Sequence, residues 1–224
     1  MILEKQLTRI AKEATPSEIL KAASLDWTVE KCPRYFRVGD NFKEVPGKYS
    51  LIRTDKAVEL DSCTKRWHPQ QNIEIVTLAY EAFKAQNIDI SYAGMLRGGK
   101  SIALVANWKE TNIGAASVGD VVEAKIMVIG SHQVGVGHQI RMFLNRLVCL
   151  NGMTIPIKMG SKVIGHTKKA IETIKQSLET AESTFRNFKA TGDRLSQTNI
   201  SYQEAQAMLI KEFGEPTKSI AEQP

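Results

Sequence analysis

The sequence predicts an α+β fold: an antiparallel β-meander covered by helices, with a long C-terminal helix. Turn residues interrupt two strand-like regions, residues 25–65 and 88–150, and apolar residues recur at helical spacing in residues 72–85 and 167–188. No uncharged apolar run in the 224-residue chain approaches the roughly 18 residues that span a bilayer. We therefore expect a soluble globular protein with no membrane partner.

The first unit, residues 1–24, is expected to consist of two short helices, Glu4–Ala14 and Ser17–Ala23. Pro16 cannot continue the first helix, and the hydroxyl residues beside it can cap the second. Charged residues interrupt the apolar pattern of the opening segment MILEKQLTRIAKEA. A signal peptide needs an unbroken apolar stretch, so we expect a cytoplasmic protein.

The core unit, residues 25–190, is expected to begin with strands. The segments WTVEKCPRYFRV and KYSLIRTDKAVEL are rich in β-branched and aromatic residues, and turn signals at Gly39-Asp40-Asn41 and Pro46-Gly47 interrupt this region. From Asn72 apolar residues recur every three or four positions until Gln86-Asn87 ends the pattern. This part of the chain therefore predicts strands and turns followed by a helix.

The second half of the core unit predicts the meander itself. The segments IDISYAGML and KSIALVANW flank Arg97-Gly98-Gly99-Lys100, and a Gly-Gly pair tolerates the positive φ angles of a tight turn. The segments VVEAKIMVIG and HQIRMFLNRLVCL follow, joined by the loop SHQVGVGH. Both alternating faces of two central strands are largely apolar, so at least one face should be covered, and the helix from Asn72 is the expected cover.

Residues 167–188 predict the longest helix. Its apolar residues alternate at spacings of three and four, and they are Ile171, Ile174, Leu178, Ala181, Phe185 and Phe188. The stripe is short for a coiled coil between subunits, which favours docking on the sheet of the same subunit. The third unit, residues 191–224, is expected to hold a polar linker, a short helix Tyr202–Phe213 and a mobile tail from Gly214.

The positive charge is concentrated in the middle of the chain. Residues 91–170 contain 10 basic and 3 acidic residues, a net charge of +7, whereas residues 1–90 carry +1 and residues 171–224 carry −2. A concentrated positive region is typical of a protein that binds a polyanion, although a basic surface of no particular function remains the alternative. The basic residues of this region are Arg97, Lys100, Lys109, Lys125, Arg141, Arg146, Lys158, Lys162, Lys168 and Lys169.

Residues Gly94–Ser101 satisfy the spelling of a nucleotide-binding P-loop, G-x-x-x-x-G-K-[ST]. Such a loop must lead into a helix, whose N-terminal amides hold the phosphates, and a later strand must end in an acidic residue for the metal. The spacing of SIALVANW fits a helix or a strand, and no later apolar strand ends in Asp or Glu. We therefore favour a hairpin that displays two cations over a phosphoryl-transfer enzyme.

No metal, cofactor or catalytic constellation is predicted. Cys32, Cys63 and Cys149 are far apart and odd in number, and neither C-x-x-C nor H-E-x-x-H occurs. His132 and His138 bracket a glycine-rich loop but have no nearby carboxylate to complete a metal site. We expect three reduced thiols and a function without covalent chemistry.

Six landmark segments occur in order along the chain: Trp27-Thr28-Val29, Arg53-Thr54-Asp55, the run from Trp67 to Asn72, the run from Ala93 to Gly99, the strand end from Arg146 to Asn151, and His166. Together they resemble phage- and plasmid-borne proteins that are grouped as a domain of unknown function. The resemblance covers roughly residues 20–190, and the family's name implies no chemistry. The chain departs from the family pattern in one loop, where Ser131-His132-Gln133-Val134-Gly135 replaces a His-Asp-Gly-Ser segment.

The order of elements, a helix followed by an antiparallel meander and a long return helix, looks like the core of single-strand annealing recombinases, a comparison by architecture alone. The leading hypothesis is therefore a cofactor-free, single-stranded DNA-binding protein of a phage or mobile element, acting in the bacterial host cell as an annealing homo-oligomer. The alternatives are the phosphoryl-transfer enzyme and a phage protein that binds a host protein. The residues expected to contact DNA are Tyr92, Arg97, Lys100, Arg141, Arg146, Lys158, Lys162, Lys168 and Lys169.

Overall fold

The computed structural model describes residues 6–113, 120–147, 154–164 and 170–213. Its described part contains two antiparallel sheets and four helices, which confirms the predicted α+β class and the covered meander. The strands are β1 (Thr8–Arg9), β2 (Val29–Val38), β3 (Asn41–Arg53), β4 (Val58–Thr64), β5 (Ile90–Leu96), β6 (Ser101–Ile113), β7 (Asp120–Ser131), β8 (His138–Leu147) and β9 (Thr154–Ile164). The helices are α1 (Pro16–Ala22), α2 (Asn72–Lys84), α3 (Ala170–Ser196) and α4 (Tyr202–Phe213).

The larger sheet has six strands in the order β1-β5-β6-β7-β8-β9. Helix α2 packs on one face of it, and its residues Ile75 and Phe83 share a core cluster with Leu104 and Ile126 of the sheet. A Cβ atom on Gly130 of β7 would lie 2.6 Å from Cγ2 of Ile75. Only glycine therefore allows α2 to approach the sheet this closely.

The smaller sheet has three strands in the order β2-β3-β4. Strand β4 pairs with β3 only from Lys48 to Arg53, whereas β2 pairs with β3 as far as Val38 and Asn41. The distal part of the β2–β3 hairpin is therefore a two-stranded ribbon, which we call the arm and define as residues 34–48. Gly39, with a φ of 62°, forms the turn at its tip.

The predicted helix Glu4–Ala14 is wrong where the structure describes it, at residues 6–14. Thr8 and Arg9 form β1, which pairs antiparallel with β5. Leu7 packs against the backbone of Gly94, since a Cβ on that glycine would lie 2.9 Å from Leu7 Cδ2. A helix of about eleven residues is marginal in water, so pairing with an exposed sheet edge and burial of Leu7 outweigh its local preference.

The second N-terminal helix is confirmed as α1, Pro16–Ala22. The hydroxyl of Thr15 accepts the backbone N–H of Glu18, and the Glu18 carboxylate accepts the backbone N–H of Thr15, which completes a capping box. These hydrogen bonds lower the pKa of Glu18. The helix then begins one residue before the predicted start, with proline at its first position.

Strand β9 was not predicted from the sequence. Its Pro156 and Gly160 weaken the strand pattern, yet proline is tolerated because β9 is the last strand in the sheet order and pairs only with β8. Helix α3 is longer than predicted and ends at Ser196, so the first residues of the predicted polar linker are helical. The predicted helix start at Thr167 and the tail from Gly214 lie outside the described residues.

The described part of the apolar stripe of α3 docks on the larger sheet through Phe185 and Phe188, as predicted, whereas the side chains of Ile171, Ile174 and Leu178 lie outside the described residues. Phe185 is buried in a cluster with Val122, Ala124 and Leu144, and its ring lies 5.9 Å from that of Trp108. Helix α3 also contacts α2. The two helices therefore cover the same face of the sheet.

Candidate nucleic-acid interface

The turn between β5 and β6 carries two of the predicted cations, Arg97 and Lys100. Arg97, Gly98 and Gly99 all have positive φ angles, of 52°, 70° and 100°. The two glycines meet the steric demand of this turn, as the sequence predicted, whereas Arg97 adopts a conformation that non-glycine residues rarely use. Both cations project from the turn and are exposed.

The P-loop alternative does not fit this geometry. Residues 94–96 end β5, and Ser101 begins β6, so a strand rather than a helix follows the glycines. The converging helical amides that hold phosphates in a P-loop are therefore missing from this turn. The match to the P-loop expression is one of spelling, and the hairpin interpretation is confirmed.

The side chain of Arg53 packs against the turn at Gly99. Its guanidinium stacks over the ring of Trp27 at 4.5 Å from the centroid and donates two hydrogen bonds to the Asp55 carboxylate, at 2.6 and 2.7 Å. The same group donates to the sulfur of Met95 at 3.1 Å, and a Cβ on Gly99 would lie 3.2 Å from its Nη1. The hydrogen bonds from Arg53 lower the pKa of Asp55.

A buried polar cluster, formed by Asn72 and His132, packs next to Trp27. The ring of His132 lies edge-on to Trp27, with 5.4 Å between centroids. The amide nitrogen of Asn72 donates to the carbonyls of Leu25 and Trp27, so its oxygen faces His132 and accepts from Nε2 at 2.8 Å. The backbone N–H of His132 in turn donates to the carbonyl of Lys100. The cluster therefore connects α2, the β7–β8 loop and the basic turn.

Gln70 and Gln71, which precede Asn72, also connect separate elements through their side chains. The Gln71 side chain accepts from the backbone N–H of Val29 and donates to its carbonyl, extending the strand-like pairing of β2. Gln70 accepts from Nε2 of His138, whose Nδ1 accepts the backbone N–H of Ser131. Both ring nitrogens of His138 are thus engaged, and it is held in the neutral Nε2–H form.

Four of the six landmark segments that resemble a known family therefore meet in space, whereas residues 148–151 and His166 of the other two lie outside the described residues. The segments containing Trp27, Arg53, Asn72 and Gly99 are widely separated in sequence, and their side chains or backbones form one cluster. Thr28 and Thr54 add a hydroxyl–hydroxyl contact of 3.0 Å at its edge. The sequence singled out these segments, but only the fold shows that they jointly support the turn.

Lys100 also faces a shallow hollow of about 230 Å³. Arg34, at the base of the arm, lines the same hollow together with Glu59 and Asp61 of β4. The Asp61 carboxylate accepts the backbone N–H of Val134 at 2.8 Å, which holds the β7–β8 loop against β4. The basic turn and the arm are therefore adjacent parts of one surface.

Tyr92 and Arg141 lie in one cross-strand row. Register places Tyr92 opposite Val105, Val105 opposite Met127 and Met127 opposite Arg141. Three strand spacings separate Tyr92 from Arg141, roughly 14 Å. The row lies on the face of the sheet opposite α2; Arg141 is exposed and hydrogen-bonded to Gln139, and Tyr92 is half-buried.

The other predicted cations are dispersed. Lys162 is exposed on β9 and pairs with Ile140, a residue of the core cluster that α2 also joins. Arg146 pairs with Val122, and Lys158 pairs with Phe143. Neighbouring positions of one strand face opposite sides, so the structure does not gather all predicted cations on one face. Lys168 and Lys169 lie outside the described residues.

Two further basic residues of the middle region have acidic partners. Lys109 of β6 forms an ion pair with Glu182 of α3, and the buried Lys125 lies 3.1 Å from Glu123. Hydrogen bonds from Lys109 and from Arg186 lower the pKa of Glu182. Lys109 therefore helps to hold α3 on the sheet, and the charges of both lysines are balanced within the chain.

The arm is the feature that the sequence analysis missed. Large apolar side chains are exposed along it: Tyr35 at 59%, Phe36 at 46%, Val38 at 51% and Phe42 at 71%. The signal was present in the sequence, because three aromatic residues and four cations fall within fifteen residues around a Gly-Asp turn. The regional net charge concealed it, since acidic residues elsewhere in residues 1–90 reduce the net charge of that region to +1.

The described residues include no group of three or more His, Cys, Asp or Glu side chains that could hold a metal ion. Cys32 and Cys63 are free thiols, and burial raises the pKa of the Cys63 thiol, which disfavours the reactive thiolate. Over the same residues, no helix is both long enough and apolar enough to cross a membrane.

The sequence model of one family, described as Domain of unknown function (DUF932), matches residues 59–223. No curated protein and no solved structure matches the chain. The match begins in β4, so the landmark segments at Trp27 and Arg53 lie before it, and it extends past the expected limit near residue 190. The basic turn and the polar residues of α2 lie inside it.

Proposed function

Because the chain belongs to the DUF932 family, whose description assigns no activity, we propose its function from the geometry: it binds single-stranded DNA through the turn at Arg97 and Lys100. One observation carries this proposal. Lys100 lines a hollow together with Arg34, Glu59 and Asp61, so the exposed turn lies beside the base of the arm, which presents aromatic rings. Cations that hold phosphates beside aromatic faces are the common means of binding single strands.

The turn is suited to phosphate contact. Both of its cations are exposed, and among the described acidic side chains none forms an ion pair with Arg97 or Lys100. By contrast, Lys109 and Lys125 of the same sheet are neutralised by carboxylates. A polyanion that neutralises the two turn cations would release counterions, which favours binding at low salt.

The support beneath the turn makes it a rigid presenting element. Arg53 packs against Gly99, and the His132 backbone donates to the Lys100 carbonyl. A binding loop that is already held in its bound shape loses less conformational entropy when the ligand arrives. Arg53 and His132 therefore position the turn and need not touch DNA.

The test is a fluorescence-anisotropy titration of a labelled oligothymidine with the wild type and with the double variant Arg97→Glu/Lys100→Glu. The variant is expected to bind more weakly and to reduce the slope of log K against log salt by roughly one to two, because two phosphate contacts are lost. The control is Arg194→Glu/Lys211→Glu, which makes the same change in net charge at exposed positions of α3 and α4. Equal binding of all three proteins would refute the assignment.

The finer proposal is that the protein belongs to a phage or mobile element and anneals complementary strands as a homo-oligomer. Binding that is limited to the backbone and to base faces leaves the pairing edges of the bases free, as annealing requires. Mixing two complementary oligonucleotides with the protein should accelerate duplex formation, and light scattering should report a mass above that of one chain. Binding without acceleration would leave a DNA-binding protein that does not anneal.

A further inference from the structure

We propose that the arm, residues 34–48, is the platform on which the bases of single-stranded DNA stack. This inference rests on the proposed function, since it requires that the protein bind single strands. It adds the element that contacts the bases, which the exposed cations of the β5–β6 turn do not supply. No arm residue was among the predicted contacts.

The exposure of the arm's rings is the first observation. Phe42 is 71% exposed and Tyr35 is 59% exposed, whereas Trp27, Phe83 and Phe185 of the same chain are at most 5% exposed. No described element covers the arm, because β4 pairs with β3 only from Lys48 onward. Aromatic rings held in water keep their faces available for another flat ring.

The strand register provides the second observation. Phe36 pairs with Lys43, and Arg37 pairs with Phe42. Directly paired residues project from the same face with Cβ atoms about 5 Å apart, so each of these rings has a cation beside it. Successive residues alternate between faces, and both faces of the ribbon therefore combine a ring with a positive charge.

The charge of the arm favours DNA over a second copy of the chain. The arm contains four cations, Arg34, Arg37, Lys43 and Lys48, and two carboxylates, Asp40 and Glu44. Arg37 pairs with Asp40 and Arg34 lies 3.8 Å from Glu59 of β4, whereas none of the described acidic side chains pairs with Lys43 or Lys48. Two such arms would repel each other, whereas a phosphate backbone complements them. Arg37 is held at the tip by the Gly39 carbonyl and by Asp40, so the rings are presented on an ordered hairpin.

The position of the arm relative to the turn completes the argument. Arg34 at the base of the arm and Lys100 of the turn line the same hollow. A strand whose phosphates lie at the turn can therefore reach the arm across this hollow, where Glu59 is paired with Arg34 and Asp61 accepts the backbone N–H of Val134. Stacking would be tolerant of sequence, because every base has a π-face.

The deciding variant is Phe36→Ala/Phe42→Ala, which removes two exposed rings and no charge. Binding of a labelled oligothymidine is expected to weaken about tenfold or more, while the salt dependence stays that of the wild type. The matched control is Tyr202→Ala/Leu209→Ala, which truncates two exposed side chains of α4, 82% and 59% accessible. Circular dichroism and thermal melting of each variant verify that folding is retained.

The outcomes separate the two proposals. If the wild type binds and the arm variant binds equally well, the stacking platform is refuted while DNA binding at the turn stands. If the wild type does not bind, both proposals fail. If the arm variant binds DNA normally but changes the mass measured by light scattering, the arm is a contact between copies of the chain and the inference is overturned.

Discussion

The guanidinium of Arg53 lies flat over the ring of Trp27, 4.5 Å from its centroid, while the same group ion-pairs with Asp55. Arg53 is only 4% exposed, and its position above the indole places it against Gly99 of the basic turn. A lysine would supply neither the planar stacking surface nor the two-pronged hydrogen bonding to a carboxylate. This contact therefore joins the smaller sheet to the hairpin of the larger one.

Gly99→Ala should destabilise the protein more than Gly98→Ala. Both glycines have positive φ angles, which cost any side chain about 1 kcal/mol. At Gly98 a Cβ meets nothing within 4 Å, whereas at Gly99 it meets Arg53 and Trp27 at 3.2 and 3.4 Å. Urea unfolding of the two variants compares them directly, and equal midpoints would show that the Arg53 contact imposes no constraint.

Asn72→Leu should lower the free energy of unfolding by at least about 2 kcal/mol, because it leaves buried polar groups without partners. The groups that lose their hydrogen bond to Asn72 are the carbonyls of Leu25 and Trp27 and the Nε2 of His132. Asn41 at the exposed arm tip is the matched control. Asn41→Leu should change stability by less than half as much in the same chemical denaturation experiment.

Glu182→Gln should destabilise the protein more at neutral pH than in acid. The Lys109 ammonium and the Arg186 guanidinium lower the pKa of Glu182 below its ordinary value of 4.5. A lowered pKa means that the carboxylate's contribution is complete above 4.5 and decreases as the pH falls through the folded-state value. Unfolding curves measured from pH 7 downward test this, and a difference between variant and wild type that does not shrink as the pH falls below 4.5 would contradict it.

Gly130→Ala should cost about 1–3 kcal/mol through overpacking, since its Cβ would overlap Ile75 of α2. The second substitution Ile75→Val removes Cδ1, one of the two crowded methyl groups, and should restore part of the loss. A double-mutant cycle measured by thermal unfolding gives the coupling between the two sites. Strictly additive effects would show that α2 shifts away from β7 without strain.

Much of the fold was predictable because local patterns and tertiary packing agree. Apolar spacing placed α2 and α3, and the Gly98-Gly99 pair marked the turn before β6. Prediction failed where packing opposed a weak local preference. The segment at Thr8 became an edge strand on β5, and β9 formed despite its proline because an edge position tolerates it.

The candidate site was also predictable only in part. Composition located the positive region and singled out Arg97 and Lys100, which the structure presents on an exposed turn. Composition had no means of showing that Lys109 and Lys125 are neutralised by partners, because those partners depend on register and on the docking of α3. Nor did it indicate that Lys162 and Arg141 lie in positions that face opposite sides of the sheet.

The sequence by itself determined the α+β class and the hairpin at Gly98-Gly99, since each depends on patterns of residues close together in the chain. The tertiary structure alone decided which rings remain in solvent. Phe42 and Trp27 are both aromatic residues near a strand, yet Arg53, His132 and Gly99 surround Trp27, whereas β4 pairs with β3 only from Lys48 onward and leaves Phe42 in solvent. Exposure depends on which distant elements pack together, and no local pattern encodes that.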